Sequence, residues 1–400
     1  MGTAVGIAVI LLVVGLAAGY FLYPAVNPSK SSNSTQLTET GSSLLYPLVK
    51  NSWAAAYTAY NPSVVVSAAS TGSGTGQSYS EQAKVNIGGS DGYVWNASSY
   101  GIVNIPVAIS AQLIWYNIPG LTGHLNLNGT VLAKIYMGLI TNWNDPEILA
   151  AQTSGQRSVL TNMSPSTIHV FFRSDSSGDT FLFSSLCDMS YPAWNYSYST
   201  GALTGLKGAD FAGETGNSGM VTAVEGQTGG IAYIGISYSV TGSGLGYAYV
   251  GDNLALSASG GLNASNYVNP TATNISSDAN LGLTHLDYAK FGLAVSLILG
   301  GSPTNPVNLT LGAGGTDPAA GTTPYPLVNL EYMLVKTAPS GSTVTASALQ
   351  ATVSFLQWAI SYGNYAANGS ASSYLDAVHF VPLTPAVIGY DMQAIGTIQP

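Results

Sequence analysis

Charged side chains are scarce in this sequence, and their scarcity excludes several classes of protein. Only 7% of the 400 residues are Asp, Glu, Lys or Arg, and 18 acidic residues against nine basic ones leave a net charge of −9. A surface of this sign does not attract nucleic acid or anionic lipid, so we expect no nucleic-acid partner. Any anion that binds must therefore be held by local donor groups, against the field of the whole protein.

Cysteine is nearly absent, which excludes an internal disulfide and a cysteine-based metal cluster. The single thiol, Cys187, follows apolar residues and is expected to be a small buried side chain. The histidines are far apart and lack a metal-ligand spacing; they are His124, His169, His285 and His379. We therefore predict no metal and no cofactor.

Catalytic signatures are missing as well. The chain contains no G-x-S-x-G elbow, no pair of catalytic carboxylates with a partner histidine and no Walker loop. An enzyme acting on phosphate esters would need an activated nucleophile or a set of metal ligands, and neither is visible. We expect a binding protein rather than an enzyme.

An uncharged apolar segment opens the chain. Residues 4–26 are mostly Ala, Val, Ile, Leu and Gly, and about 20 helical residues suffice to cross a bilayer. No Lys or Arg precedes the segment, so we predict an uncleaved transmembrane signal anchor over residues 1–26, with a cleaved signal peptide as the alternative. A polar tether over residues 27–36 would then hold an extracellular domain at the cell membrane.

Glycosylation sequons are numerous, as an extracellular glycoprotein would allow. They begin at Asn33, Asn96, Asn128, Asn162, Asn195, Asn263, Asn274, Asn308 and Asn368.

Apolar runs typical of buried strands alternate with helix patterns along the rest of the chain. The apolar runs occupy residues 63–68, 85–91, 105–116, 168–172, 230–234 and 325–336. Helix patterns occupy residues 44–61, 77–83, 132–139, 181–186, 220–224 and 346–362. This alternation predicts an α/β fold with mostly parallel sheets. Residues 240–285 are rich in Gly, Ser and Asn and show no clear pattern.

One of the two arginines stands in residues 171–181, FFRSDSSGDTF. A predicted strand leads into this stretch, small and hydroxyl residues follow Arg173, and a predicted helix begins near Phe181. Free N–H groups and the positive end of a helix dipole bind oxyanions at such turns, and Arg173 adds a planar charged fork. The alternative interpretation is a capped helix start with an exposed arginine.

A second glycine-rich turn, residues 70–77 (STGSGTGQ), also lies between a strand and a helix. With Asp91 beyond it, the region imitates a dinucleotide-binding fingerprint. The glycine spacing is G-x-G-x-G rather than G-x-G-x-x-G, and the acidic residue falls early, so we reject this interpretation.

These motifs, in this order, resemble the substrate-binding proteins of high-affinity phosphate ABC transporters over nearly all of residues 37–395. The matching stretches are 41–47 (GSSLLYP), 71–76 (TGSGTG), 86–91 (NIGGSD), 118–120 (IPG), 135–138 (IYMG), 142–145 (NWND), 173–181 (RSDSSGDTF), 216–219 (GNSG) and 230–233 (GIAY).

The resemblance implies a two-lobed α/β clamshell of the periplasmic-binding-protein type (type II), whose hinge consists of two crossover strands. Lobe 1 would be discontinuous, comprising residues 37–115 and 332–400, and lobe 2 would comprise residues 116–331. Phosphate would bind in the cleft between the lobes.

The resemblance also implies which residues bind the ligand. Arg173 would be the cationic partner, and Asp91 and Asp179 would be acceptors. Ser43 stands where the family commonly has Thr, and Asp179 stands where several members have Thr. Hydroxyl and backbone donors would come from Ser43, Leu44, Ser73, Ser177 and Gly178.

A carboxylate in an anion site selects for a protonated ligand. An ionised Asp91 only accepts hydrogen bonds, so it favours a P–O–H group and disfavours the fully deprotonated sulfate ion. Leaving such a buried acceptor unpaired costs about 1–3 kcal/mol or more.

We therefore expect an extracellular, membrane-tethered receptor that captures inorganic phosphate and delivers it to the permease subunits of an ABC transporter. The alternative is a surface or filament structural protein built on the same fold, which the low charge, the many tyrosines and the sequons would suit. The chemically competent anion-site residues favour the receptor.

Overall fold

The computed structural model of the chain describes residues 34–94, 96–194, 210–251, 267–276, 325–365 and 372–400. The predicted anchor (residues 1–26) lies outside these ranges, and so do all but the last three residues of the predicted tether. Among the described residues, no helix combines the length and the apolar character that a membrane span requires.

The strands follow the predicted apolar runs closely. In chain order they are β1 (Thr35–Gly41), β2 (Val64–Ser70), β3 (Ile87–Ser90), β4 (Ile102–Asn117), β5 (Asn126–Asn128), β6 (His169–Arg173), β7 (Phe211–Glu214), β8 (Gly230–Gly235), β9 (Leu245–Tyr247), β10 (Tyr249–Gly251), β11 (Tyr267–Val268) and β12 (Val328–Lys336). Six strands have no apolar run of their own, so the sequence does not reveal them; they are β1, β5, β7, β9, β10 and β11.

The helices begin mostly at hydroxyl or acidic caps. They are α1 (Tyr46–Leu48), which continues through a π-helical turn (Val49–Trp53) into α2 (Ala54–Tyr60), then α3 (Ser73–Glu81), α4 (Gly129–Tyr136), α5 (Pro146–Ala150), α6 (Ser154–Asn162), α7 (Gly178–Ser190), α8 (Gly216–Gly226), α9 (Ala346–Ile360), α10 (Ser373–Asp376) and α11 (Pro385–Ile395). A short 3₁₀ turn occupies Ala97–Tyr100.

A mixed sheet of nine strands is the centre of the fold, in the order β2-β1-β3-β12-β4-β8-β6-β7, with β9 paired to β4. Pairing is parallel among β1, β2 and β3 and among β6, β7 and β8. β12 and β4 are antiparallel to their neighbours, so the prediction of mostly parallel sheets is wrong for the middle of the sheet. The reason is that β12 returns from late in the chain and inserts beside β4 in the opposite direction.

Strand β4 belongs to both halves of this sheet. Residues 102–111 pair with β12, and residues 112–116 pair with β8, so the partner changes between Ala111 and Gln112. The sheet thus divides into two α/β lobes that share one long strand. We use lobe 1 for the half that contains β1–β3 and β12, and lobe 2 for the half that contains β6–β8.

An aromatic cluster supports the end of lobe 2 where Arg173 lies. The ring of Phe183 stacks on Tyr233 with centroids 4.6 Å apart and packs on Tyr136 at 4.4 Å. The Tyr233 hydroxyl accepts a hydrogen bond from the Arg173 amide at 2.9 Å and shares another with Thr180 Oγ1 at 2.9 Å. The core therefore positions the turn between β6 and α7. Cys187 is fully buried in α7, as expected.

Candidate oxyanion site between the lobes

The loops that carry the predicted site residues meet at one edge of the sheet. Carboxyl ends of parallel strands lie at the same edge, which is where ligands bind in open α/β sheets. Ser43 follows β1, Ser73 begins the helix after β2, Asp91 follows β3, and Ser177 caps the helix after β6. The structure therefore brings together residues from four separate loops.

The serine hydroxyls have a common arrangement. Ser73 Oγ accepts a hydrogen bond from the amide of Asp91 at 3.2 Å, and Ser177 Oγ accepts one from the amide of Asp179 at 3.1 Å. Both serines are buried. Because each oxygen already accepts from an amide, its hydroxyl proton remains available for a further acceptor.

Backbone amides at this edge add further donors. Within the described part of the chain, these five donate no hydrogen bond: Ser43, Leu44, Ser73, Ser177 and Gly178. Buried N–H groups of this kind are costly unless an acceptor meets them. Two of the five begin α3 and α7, where the helix dipole also favours negative charge. The arrangement suits a compact ligand that is rich in acceptor oxygens.

Arg173 is 1% exposed and forms ion pairs with two carboxylates. Its Nε and Nη2 donate to the two oxygens of Asp175 at 2.6 and 2.5 Å, and its Nη1 donates to Asp179 Oδ2 at 2.8 Å. Burial opposes the charge of Arg173, but these partners outweigh it and raise its pKa. Burial likewise opposes ionisation of Asp175, and the hydrogen bonds and charge of Arg173 lower the pKa of that carboxyl overall. Of the five guanidinium N–H groups, three are used here, which leaves two.

The carboxylate of Asp179 is surrounded by protein donors. Besides Arg173, Oδ2 accepts from Asn217 Nδ2 at 2.7 Å, and Oδ1 accepts from Gln112 Nε2 at 3.3 Å. Burial and the nearby charge of Asp91 raise the pKa of Asp179 to about 7, against the effect of Arg173 and the amide donors. The predicted role of Asp179 as a ligand acceptor stays a prediction, since its oxygens already have partners.

Asp91 faces the start of α7 from the opposite lobe. A Cβ atom placed on Gly178 would lie 2.3 Å from Asp91 Cβ and 2.8 Å from its Oδ2. Asp91 is 1% exposed, and its carbonyl accepts from Asn329 Nδ2 at 2.7 Å. This close approach requires glycine at position 178.

Direct hydrogen bonds join the lobes around the site. Ser43 Oγ accepts from Asn217 Nδ2 at 3.0 Å and from the Asn217 amide at 3.2 Å. The amide of Gly74 donates to the carbonyl of Ser176 at 3.1 Å, and the Tyr238 hydroxyl donates to the Ser43 carbonyl at 2.8 Å. The site residues therefore lie inside a contact between the lobes, with little exposure to solvent.

Three site residues are absent from the sequence-based prediction. Asn217 bridges Ser43 and Asp179, Gln112 contacts Asp179, and Tyr233 supports the turn at Arg173. The motif GNSG marks Asn217, and a glutamine inside the apolar run 105–116 is a signal for Gln112. Nothing local distinguishes Tyr233 from a core tyrosine. In the ranges that the structure covers, no three His, Cys, Asp or Glu side chains are grouped as in a metal site.

Replacement of Gly178 should weaken the contact between the lobes, and with it anion binding, without changing the stability of the unliganded protein. Alanine favours a helix start over glycine by up to about 1 kcal/mol, but its methyl group would overlap Asp91. We expect Gly178→Ala to lower anion affinity by about tenfold or more while the unliganded protein unfolds at nearly the wild-type denaturant concentration. Calorimetric titration and urea unfolding measure the two effects.

Gly155→Ala is the matched control, because Gly155 lies in the first turn of α6 and a Cβ there would meet nothing within 4 Å. Unchanged affinity in Gly178→Ala would contradict the close approach of Asp91 to α7.

Buried carboxyls should make this protein more stable in mild acid. Glu39 in β1 is 3% exposed, and burial, opposed only by a hydrogen bond from Gly89, raises its pKa from 4.5 to about 8. Because the unfolded chain releases this proton first, Glu39 makes stability fall as pH rises from 4.5 to 8, by about 1.4 kcal/mol per pH unit. Urea unfolding of Glu39→Gln should show a flatter pH dependence over that window. An identical dependence of unfolding free energy on pH in both proteins would contradict the burial of the Glu39 carboxyl.

The fold and the site together define a class: a two-lobed α/β binding protein with an oxyanion-type site between its lobes. A sequence profile of the PBP superfamily domain matches residues 27–362, and the chain belongs to this superfamily.

Relatives and solved structures agree with this assignment. The phosphate-binding protein PstS of Xylella fastidiosa (strain 9a5c) is 25% identical over 366 residues, covering 90% of this chain and 85% of the relative. A crystal structure of a phosphate-binding protein from Stenotrophomonas maltophilia superposes with a TM-score of 0.56 at 20% identity, covering 91% of this chain and 94% of that one. The crystal structure of the ancestral soluble variant of the human phosphate-binding protein superposes with a TM-score of 0.61 at 17% identity, covering 90% of this chain and 93% of that one. These likenesses confirm the two-lobed fold and the predicted resemblance.

Proposed function

We propose that this chain binds inorganic phosphate between its lobes and delivers it to the permease of an ABC transporter. The observation that carries the proposal is a buried site that combines a partly free guanidinium, Arg173, with unpaired amides at two helix starts and a carboxylate, Asp91, facing them. The names of the relatives support the same ligand and give the structural-protein alternative no support.

The donors account for the affinity for an anion. Phosphate oxygens would accept from the hydroxyls of Ser43, Ser73 and Ser177, from the amides of Leu44 and Gly178, and from the two remaining N–H groups of Arg173. In a dry site such charge-assisted hydrogen bonds are about twice as strong as neutral ones. Asp179 would act by fixing Arg173 and Asn217 in place rather than by touching the ligand.

Asp91 accounts for the choice of anion. Its Oδ2 lies beside the start of α7, where an oxygen of the ligand would approach. A protonated phosphate oxygen would donate to this carboxylate, whereas sulfate has no proton to donate near neutral pH.

The hinge would lie where β4 changes partner, near Ala111 and Gln112, and where β12 returns beside it. Phosphate would favour the closed arrangement because it bridges donors of both lobes. Small-angle scattering should show a smaller radius of gyration with phosphate than without it. An unchanged scattering curve would count against closure by the ligand.

The apolar segment at residues 4–26 would anchor the receptor, with the binding domain outside the cell. The full chain should then stay with membranes through an alkaline carbonate wash, and release by that wash would contradict an anchor. Glycans would have to use sequons other than Asn128, since Asn128 is 6% exposed and its side chain caps α4 by accepting from the Val131 amide.

Calorimetric titration of the full chain with phosphate, then with sulfate, tests the proposal directly. We expect saturable one-to-one binding of phosphate and no comparable heat from sulfate at the same concentration. Absence of phosphate binding would refute the proposed function, and equal affinity for both anions would refute the role of Asp91.

A further inference from the structure

A second buried carboxyl lies beside Asp91 in lobe 1. Glu331 is fully buried in β12, the strand between β3 and β4. Its Oε1 accepts a hydrogen bond from Ser110 Oγ at 2.6 Å. Tyr332 pairs with Ser90 in the antiparallel β12–β3 ladder, so Glu331 stands in register with Asp91. The β12–β4 ladder shifts register between Glu331 and Tyr332, an irregularity of the kind that redirects side chains.

The surroundings of Glu331 contain acids and hydroxyls but no cation partner. Asp91 faces it from the end of β3 and Asp179 lies farther off on α7, while Ser110 and, at 3.5 Å, Ser42 contribute hydroxyls. Among the described ion pairs none includes Glu331. Burial first, and then the charge and contact of Asp91, raise the pKa of Glu331 well above its usual range. Two adjoining carboxyls in such a place share a single proton.

The two oxygens of Asp91 have different environments. Oδ1 is buried and has no N–H or hydroxyl donor in the structure, which is costly for a charged acceptor. Oδ2 lies on the side of Gly178, where the phosphate would be. A proton on Glu331 would supply a donor to the first oxygen without occupying the second.

We propose that protonated Glu331 donates a hydrogen bond to Oδ1 of Asp91 and so fixes the Asp91 carboxylate with its Oδ2 facing the ligand as an acceptor. The proton sits on Oε2 of Glu331, because Oε1 accepts a short hydrogen bond from Ser110 Oγ at 2.6 Å, whereas Oε2 has only a long contact with Ser42 Oγ at 3.5 Å. Glu331 is a positioning residue that does not touch phosphate, and the inference rests on the proposed function of the site.

The consequence is that selectivity for phosphate depends on Glu331. A donor on Oδ1 fixes the orientation of the Asp91 carboxylate, so that Oδ2 faces the ligand as an acceptor that a P–O–H group can use and sulfate cannot. Without that donor the carboxylate loses this orientation, and the preference for phosphate over sulfate should fall by about tenfold or more, the worth of one hydrogen bond to a charged group.

Two variants of the full chain separate the possibilities. In Glu331→Gln the amide replaces the protonated carboxyl as a neutral donor, so phosphate affinity and the preference for phosphate over sulfate should match wild type. In Glu331→Leu the donor is lost, and that preference should fall by about tenfold or more. Calorimetric titrations with phosphate and sulfate at neutral pH measure both.

Either of two results would overturn the proposal. Tighter binding of both anions in Glu331→Gln, by about tenfold or more, would mean that the variant removed a negative charge and that Glu331 is ionised. A ratio of phosphate to sulfate affinity in Glu331→Leu equal to that of wild type would mean that Glu331 does not support Asp91.

An infrared measurement keeps the test independent of phosphate binding and of the folding of Glu331→Leu. The difference spectrum of unliganded wild type minus Glu331→Gln at neutral pH should contain the carbonyl stretch of a protonated carboxylic acid. Its presence supports the shared proton even in a protein that fails to bind phosphate, and its absence overturns the proposal.

Discussion

Asp91→Asn is expected to reduce the preference for phosphate over sulfate by about ten- to a hundredfold, because an amide can donate to an oxygen that carries no proton. Phosphate loses little in this variant, since the asparagine carbonyl still accepts from P–O–H. Sulfate gains a donor in place of a repelling carboxylate. Calorimetric titration with both anions at neutral pH gives the ratio of the two dissociation constants.

Asp145→Asn is a suitable control for that experiment. Asp145 caps α5 and accepts from the Glu147 amide, a role that asparagine fills equally well. Its loop pairs with Thr167 just before β6, at the end of that strand away from Arg173. The preference of the Asp145→Asn variant for phosphate should equal that of wild type. If Asp91→Asn kept the wild-type ratio of the two dissociation constants, selection against sulfate would come from elsewhere in the site.

Removal of Arg173 should have the largest combined effect of any substitution in the site. Arg173→Met leaves the buried carboxylate of Asp179 and the partly buried carboxylate of Asp175 without their cation. Losing one partner of a buried ion pair costs about 3–5 kcal/mol, so the free energy of unfolding should fall by that order. Phosphate affinity should fall by about ten- to a hundredfold for each lost hydrogen bond from the guanidinium.

Arg173→Lys distinguishes binding from folding, because lysine keeps the charge but lacks the planar fork. We expect a smaller loss of stability, measured by urea unfolding, together with a clear loss of phosphate affinity. The control is Arg157→Met, since Arg157 is the chain's other arginine and is exposed on α6. Wild-type affinity in Arg173→Lys would remove the guanidinium from contact with the ligand.

Much of the candidate site can be predicted from local patterns. Glycine and serine loops before predicted helices indicate helix starts with free donors, and Ser43, Ser73 and Ser177 all lie in such loops near the same sheet edge. A rare arginine directly after a predicted buried strand marks Arg173. These features are local because a strand, a turn and a helix start are each specified within about ten residues.

In other parts of the site the local signal marks a residue but not the partner it will contact. Gln112 contacts Asp179 across 67 positions of sequence, and Asn217 contacts Ser43 across 174. Their amides look like ordinary polar residues until the lobes meet. Sheet direction is a similar case, since antiparallel pairing of β12 depends on a segment that returns after more than 200 residues.

The sequence by itself determined the composition and the local motifs of this protein: an acidic, charge-poor chain with glycine loops at helix starts, an arginine at the end of one buried strand and an aspartate after another. Only the tertiary structure decided which donors and which acidic groups surround each buried carboxyl. It directs Asp179 to Arg173, Asn217 and Gln112, and it places Glu331 beside Asp91 by inserting β12 between β3 and β4. The physical reason is that ionisation of a buried acid depends on its neighbours, and those neighbours come from strands that are distant in sequence.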